Sequence, residues 1–315
     1  MKGTAVVTGA AGFIGSHLVD KLLKEGFSVI GLDSLRTGVK ENLAYAMGHQ
    51  NFRFEEIEVF SKDLPKIVSG PVDIVFHLAA ISSVKFSTEN PVEVNRVNVD
   101  GTLNMLELAR KCGAERFVFS SSAAVYGNPK TLPIKEETPF EPLSPYAASK
   151  IAAEMYCISY GNLYGIFPTI FRYFNVYGPR QEYSAYSGVI SIFINQGLRN
   201  SDITVDGDGS QTRSFIYIDD VVNATYLGSQ IGGSTGHILN LSGIDSISIL
   251  KLAHLIKEYI PESTSKIVHR EAREGDVKES IGSMKRTSNV LGFTPSVSLS
   301  TGLDRTVSWY RSQRG

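Results

Sequence analysis

Seven residues near the start of the chain, Gly9-Ala10-Ala11-Gly12-Phe13-Ile14-Gly15, limit its fold more than any other feature. They follow the apolar run 4–8 and precede a stripe of Ile14, Leu18 and Leu22 with Val19 and Leu23, the spacing of a helix with one buried face. Three glycines at a strand-to-helix junction allow a tight turn and bring backbone N–H groups close to a pyrophosphate at the positive end of the helix. They also let that helix pack closely on its sheet. Such a turn belongs to a β–α–β unit with a right-handed crossover, and so to a parallel sheet. Gly26 stops the helix, and strand 27–32 delivers Asp33 eighteen residues after Gly15. A carboxylate there accepts hydrogen bonds from an adenosine ribose and repels a 2′-phosphate, which favours NAD over NADP. Arg36 pulls the other way.

The alternation continues. Near-continuously apolar runs at 52–59, 72–78, 116–120 and 167–174 read as strands buried on both faces, with helical periodicity between them. The fold class is therefore α/β, a doubly wound parallel (Rossmann) sheet with a smaller mixed α/β substrate domain. Residues 1–170 form the NAD-binding domain. Residues 171–315 form mainly the substrate domain, with some segments returning to the first. In that second part the pattern reads as helix 189–198, strand 203–205, a turn at 206–210 and strand 214–218. A helix opening near Asp219, strand 237–241 and helices 249–259 and 299–311 complete it. The 315 residues are 42% hydrophobic and 20% charged, which excludes disorder as the main state. With 31 basic against 32 acidic residues the chain has no general attraction for nucleic acid or an anionic membrane, and no apolar run reaches the ~20 residues of a membrane span. Two cysteines, Cys112 and Cys157, make no disulfide framework or metal site, and the N-terminus opens on a strand rather than a signal peptide. A cytoplasmic protein with reduced thiols and no bound metal is the expectation.

Proton abstraction from a hydroxyl at neutral pH suits a tyrosine whose phenol is assisted by a nearby positive charge. Chance supplies roughly one Tyr-x-x-x-Lys pair in a chain of this composition, and two occur, Tyr126…Lys130 and Tyr146…Lys150. Gly127-Asn128-Pro129 makes a turn of the first. Tyr146 follows Ser144-Pro145, an N-cap and N1 pair, and enters good helix, so Tyr146 and Lys150 share a face in the first turn, where the helix dipole favours an anion. Ser120-Ser121-Ser122 ends the preceding strand at the edge where such sheets bind ligands, and a serine there can hold the same hydroxyl.

T-G-A-A-G-F-I-G-S-H at the start, F-S-S-S-A-A-V-Y-G, S-P-Y-A-A-S-K, R-Y-F-N-V-Y-G-P-R and R-E-G-D-V together resemble the nucleotide-sugar epimerases and dehydratases among the extended short-chain dehydrogenases. F-H-L-A-A, N-V-D-G-T-L-N and G-D-G-S-Q-T-R-S-F-I-Y-I-D-D extend the resemblance along nearly the whole chain in order. It implies a 4-epimerase with NAD as cofactor and UDP-glucose and UDP-galactose as the first substrate pair. Within the family a UDP-glucuronate epimerase or decarboxylase and a nucleotide-sugar reductase are alternatives; outside it, a non-catalytic NAD-binding regulator. Carried onto this chain, the catalytic residues are Tyr146, Lys150 and Ser122. NAD is held by Gly9, Gly12, Phe13, Ile14, Gly15, Asp33, Glu58, Leu78, Ala79, Ala80, Asn98, Tyr146 and Lys150. The nucleotide sugar is held by Ser122, Asn175, Arg213, Arg273 and Asp276, the two arginines in loops and gripping the diphosphate. Related dehydratases and decarboxylases carry an acid where this chain has Ala123-Ala124, which favours epimerisation. Glu58 stands where the family often has Asp, followed by an altered Phe60-Ser61-Lys62. The resemblance also implies a homodimer through helices 92–111 and 146–164.

Overall fold

The computed structural model describes residues 2–183, 188–231, 236–272 and 277–314. Seven parallel strands form its central sheet: β1 (Thr4–Thr8), β2 (Ser28–Asp33), β3 (Phe52–Glu56), β4 (Ile74–His77), β5 (Arg116–Ser122), β6 (Phe167–Tyr173) and β10 (His237–Leu241). Their spatial order is β10-β6-β5-β4-β1-β2-β3, so the winding reverses between β1 and β4 and leaves a crevice at their carboxyl ends. Strand β1 is fully buried from Ala5 to Val7, as a central strand covered on both faces must be.

Helix α1 (Phe13–Lys24) buries the expected stripe, Leu18, Val19, Leu22 and Leu23. It ends on Gly26 at φ +88, with the Gly26 N–H donating to Leu23 and the Phe27 N–H to Leu22, the paired bonds of a left-handed helix stop. On the other face lie α2 (Pro91–Asn95), α3 (Gly101–Cys112) and the twenty-residue α4 (Pro145–Tyr164), begun by the Ser144 hydroxyl accepting from the Ala147 N–H and stopped at Gly165, φ +69.

The second part is built on β7 (Asn175–Tyr177), α5 (Val189–Leu198), β8 (Ile203–Asp206), β9 (Thr212–Tyr217) and α6 (Ile218–Ser229). After β10 come β11 (Ser246–Ser248), α7 (Ile249–Glu258), β12 (Ile267–Arg270), β13 (Glu279–Ser280), α8 (Lys285–Leu291) and α9 (Leu299–Ser312). Strand β9 is the hub, pairing with β7, β11 and β13, while β8 pairs with β12. Helix α6 packs on α1, and β10 joins the edge of the central sheet, so both pack with the first part of the chain although they follow residue 171. One apolar core runs from Val7 and Leu18 through Phe171 to Ile203, Leu252 and Leu303, joining the two parts. Among the described residues no helix is long and apolar enough to cross a membrane.

Candidate active site

The glycine turn is dictated by space. A Cβ on Gly15 would stand 1.9 Å from the Gly9 carbonyl oxygen, and one on Gly9, which sits at φ +67, would stand 2.9 Å from the Ala79 nitrogen. The turn therefore lies directly against the loop that follows β4. That loop is pinned by a buried chain of hydrogen bonds. The Thr8 hydroxyl accepts from the Leu78 and Ala79 N–H groups at 3.1 Å each and donates to His77 Nδ1 at 2.7 Å. His77 Nε2 donates to Thr102 at 3.0 Å, and Thr102 donates to the Asn98 carbonyl at 2.6 Å. Burial holds His77 near a pKa of about 3, so the ring stays neutral and the chain keeps one polarity.

Asn98 lies in a π-turn, Arg96–Asp100, and its side chain is fully occupied. Its oxygen accepts from the Ile81 N–H, and its nitrogen donates to the Ile81 carbonyl and to Ser149, which in turn donates to the Tyr146 carbonyl. Asn98 thus acts on the site through Ile81 and α4, while Leu78, Ala79 and Ala80 line the cavity directly.

The three serines ending β5 have three different partners. The Ser120 carbonyl accepts from Lys150 Nζ at 2.7 Å, Ser121 donates to Glu154, and the Ser122 oxygen accepts from the Ala124 N–H while its hydroxyl stabilises the Tyr146 phenolate electrostatically. Tyr146 and Lys150 are both buried, and their shifts are those of a dry site. Burial raises the phenol, with the Ser122 hydroxyl pulling it back; burial lowers the ammonium to about 8, opposed by Cys157 and Glu154.

Beneath them lies a fully buried ion pair. Arg172 on β6 meets Glu154 on α4 through two bonds, Nε–Oε1 at 3.0 Å and Nη2–Oε2 at 2.7 Å, and its Nη1 donates to the Tyr126 hydroxyl and the Glu136 carbonyl. Tyr126 donates onward to Asn240 at 2.7 Å, and burial pushes its phenol to about 12.

A cavity of about 730 Å³ joins these groups. Its walls bring together Gly9, Gly12, Phe13, Ile14, Gly15, Asp33 and Glu58 with Ser122, Tyr146 and Lys150. Asp33 lines the cavity and accepts from the Ala11 and Leu35 N–H groups at 2.9 and 2.8 Å, one on each oxygen, so each oxygen keeps acceptor capacity. This end of the cavity fits a dinucleotide: a phosphate cradle any side chain would fill, a helix N-terminus and a ribose-facing carboxylate. No group of three His, Cys, Asp or Glu among the described residues could hold a metal ion.

The substrate residues sit differently. Arg213 lies in strand β9 rather than in a loop, because β9 begins at Thr212 to pair with β11 and β13 on either side. Its guanidinium donates to the Thr212 and Lys278 carbonyls. Asn175 donates to the Ser214 carbonyl at 2.9 Å, tying β7 to β9. Arg273 and Asp276 lie outside the described residues. Sequence reasoning missed Arg180, Gln181 and Trp309 in the cavity wall. Arg180 closes a motif already singled out, whereas Trp309 arrives from a C-terminal helix with no local signal.

A family model described as the NAD dependent epimerase/dehydratase family matches residues 5–242. A putative UDP-glucose 4-epimerase of Methanocaldococcus jannaschii is 40% identical over 309 residues, 98% of either chain. UDP-glucuronic acid decarboxylase 1 of Xenopus tropicalis is 34% identical over 98% of this chain and 72% of its own. The UDP-N-acetylglucosamine 4-epimerase of Methanobrevibacter ruminantium, solved with UDP-N-acetylmuramic acid, superimposes with a TM-score of 0.93 at 36% identity, covering 99% of each chain. The UDP-glucuronic acid 4-epimerase of Bacillus cereus, solved with UDP-glucuronic acid and NAD, does so with a TM-score of 0.92 at 30% identity, covering 98% of this chain and 99% of its own.

Proposed function

The chain belongs to the NAD dependent epimerase/dehydratase family, and from that premise we propose that it is a UDP-sugar 4-epimerase interconverting UDP-glucose and UDP-galactose. The observation that carries this reading is the meeting of Tyr146, Ser122 and Lys150 with the glycine turn in one cavity, beside Ala123-Ala124 rather than an acid.

In this reading Ser122 holds the C4 hydroxyl of the sugar and Tyr146 removes its proton as a general base. Lys150 supplies positive charge from one helical turn away. NAD held against the glycine turn would supply a reversible acceptor for the C4 hydride and the positive charge of its nicotinamide ring. The 4-keto sugar turns over between the two transfers, so no net oxidation occurs and the cofactor is retained. Gly9 to Gly15, Asp33, Glu58 and Leu78–Ala80 hold NAD, with residues 1–170 as the cofactor domain. Asn175, Arg213, Arg273 and Asp276 hold the UDP portion from residues 171–315, since guanidinium forks bind diphosphate oxygens well and leave the sugar free to rotate.

The dimer uses helices 92–111 and 146–164, whose outer faces expose Val92 at 82%, Leu163 at 69%, and Tyr156 and Tyr164. Free Cys112 and Cys157 agree with a cytoplasmic protein. A uronate substrate is the second reading, favoured by the likeness to the Bacillus cereus enzyme. Incubating the protein with UDP-glucose, UDP-N-acetylglucosamine and UDP-glucuronate separately, then identifying the sugar and any released carbon dioxide, tests both. Conversion of UDP-glucose to UDP-galactose is the expected result, and no turnover of any of the three overturns the enzyme reading.

A further inference from the structure

The adenosine end of the cavity holds a charge arrangement that the β2 carboxylate does not account for. Arg36 follows Asp33 by three residues, a position from which a guanidinium can meet a ribose 2′-phosphate. Here that guanidinium is already engaged. Its Nη1 donates to Glu93, and its Nη2 lies 3.4 Å from Glu58 Oε1. The three residues come from three different connections of the sheet: Arg36 follows β2, Glu58 follows β3, and Glu93 sits in the first turn of α2, on the crossover from β4 to β5. Arg36, Glu58 and Asp33 all line the cavity.

We infer that Glu93, together with Glu58, is a determinant of cofactor selectivity: it occupies Arg36 and so denies NADP a cation placed to receive its 2′-phosphate. The inference rests on the reading that the cofactor's adenosine lies against the end of β2. Counted together, Asp33, Glu58 and Glu93 give this end three carboxylates against one guanidinium. A phosphate dianion arriving there must either pull Arg36 away from two acids or face all three unshielded. NAD, with hydroxyls at the same place, does neither. Selectivity is then set jointly by the Asp33 carboxylate and by an acid some sixty residues further along the chain, which a reading of the β–α–β motif alone would not include.

The pairs are solvent-exposed, so removing one acid costs the fold little, and the variants remain comparable. The test is competition of NADP against labelled NAD on the full-length protein, for wild type, Glu93→Gln, Glu58→Gln/Glu93→Gln, Arg36→Ala and Arg36→Ala/Glu93→Gln. In Glu93→Gln the freed guanidinium gains a charge-assisted bond to the phosphate, so NADP binding improves by about tenfold relative to NAD, and further in the double acid variant. Adding Arg36→Ala to Glu93→Gln erases the gain. Arg36→Ala alone leaves the NAD-to-NADP ratio within about threefold of wild type, because the arm was not available to the phosphate. An unchanged ratio in Glu93→Gln, or a large loss of NADP binding in Arg36→Ala alone, overturns the inference while leaving the cofactor site intact. Loss of NAD binding from wild type as well as every variant would instead remove the placement of the cofactor on which it rests.

Discussion

Two segments of this chain share the pattern Tyr-x-x-x-Lys and meet opposite fates. At 126–130 the tyrosine turns into the interior, where Arg172 donates to its oxygen and its hydroxyl donates to Asn240; Gly127 at φ +60 then breaks the backbone, and Lys130 is exposed. At 146–150 a helix keeps both side chains on one face and turns them into the cavity that Ser122 also lines. A proton-abstracting pair needs a fixed separation and access to a ligand. Helix α4 provides both and the turn at Gly127 neither, so backbone geometry after the tyrosine decides what the motif can do. The two segments are also physically joined, because Glu154, one turn beyond Lys150, holds the arginine that holds Tyr126.

The contrast breaks most severely if the two tyrosines prove interchangeable. Tyr146→Phe should lower epimerisation by roughly 10²–10⁴-fold or more with the fold and NAD binding kept, while Tyr126→Phe retains most of its turnover. Sugar analysis after incubation with UDP-glucose measures both. Near-normal turnover in Tyr146→Phe would remove the proposed base.

Next in size is the link between the segments. Glu154→Ala leaves the Arg172 guanidinium buried without its carboxylate, which should cost about 3–5 kcal/mol of stability by denaturant unfolding. Replacing Arg172 and Glu154 together by Met and Leu should cost far less, since no uncompensated charge remains. Equal losses would mean that the pair's shape, rather than its charge, supports the sheet.

Tyr126→Phe removes one hydroxyl that both accepts from Arg172 and donates to Asn240, leaving Asn240 Oδ1 without that donor. About 1–3 kcal/mol of stability should be lost, with the midpoint of unfolding moving and its slope unchanged. A loss confined to activity would place Tyr126 in the site.

The same contrast explains what could be read from the sequence. Strand 4–8, helix 189–198 and strand 237–241 end where periodicity puts them, since apolar pattern and burial coincide there. Runs 52–59 and 72–78 extend past β3 and β4 because apolar character continues into Ile57, Val59 and Leu78, which line the cavity beyond the strand ends. Run 167–174 hides a change of sheet: the chain leaves β6 after Tyr173 and enters β7 at Asn175, paired to β9. Alternation of side chains fixes a strand but not its neighbours, so the second sheet, and with it Arg213 as a strand residue, was not readable locally. The glycine turn and the Tyr146–Lys150 helix were readable because each is complete within about eight residues. Trp309 and the Glu93–Arg36 contact depend on closures of the chain over much longer distances.

The smallest effect concerns the two lysines and is read from pH rather than from rate. Around Lys150 stand Glu154 and Cys157 from its own helix, the neutral His77 from β4, and the Phe119 ring and Ser120 carbonyl from β5. Burial outweighs the acids, so the ammonium loses its proton near pH 8 instead of 10.5. The charge proposed to assist Tyr146 is therefore present below about pH 8 and is lost above it. The pH profile of kcat/KM should accordingly fall on its basic side, by roughly fivefold between pH 8 and pH 9 and by about tenfold per pH unit beyond, once the group is mostly neutral. Arginine stays charged throughout this range, so Lys150→Arg should show a lower plateau but no basic limb near pH 8. Lys130→Met should keep the limb where it is. A limb that persists unchanged in Lys150→Arg would assign it to another group and separate Lys150's positioning contact with Ser120 from any electrostatic part in the reaction.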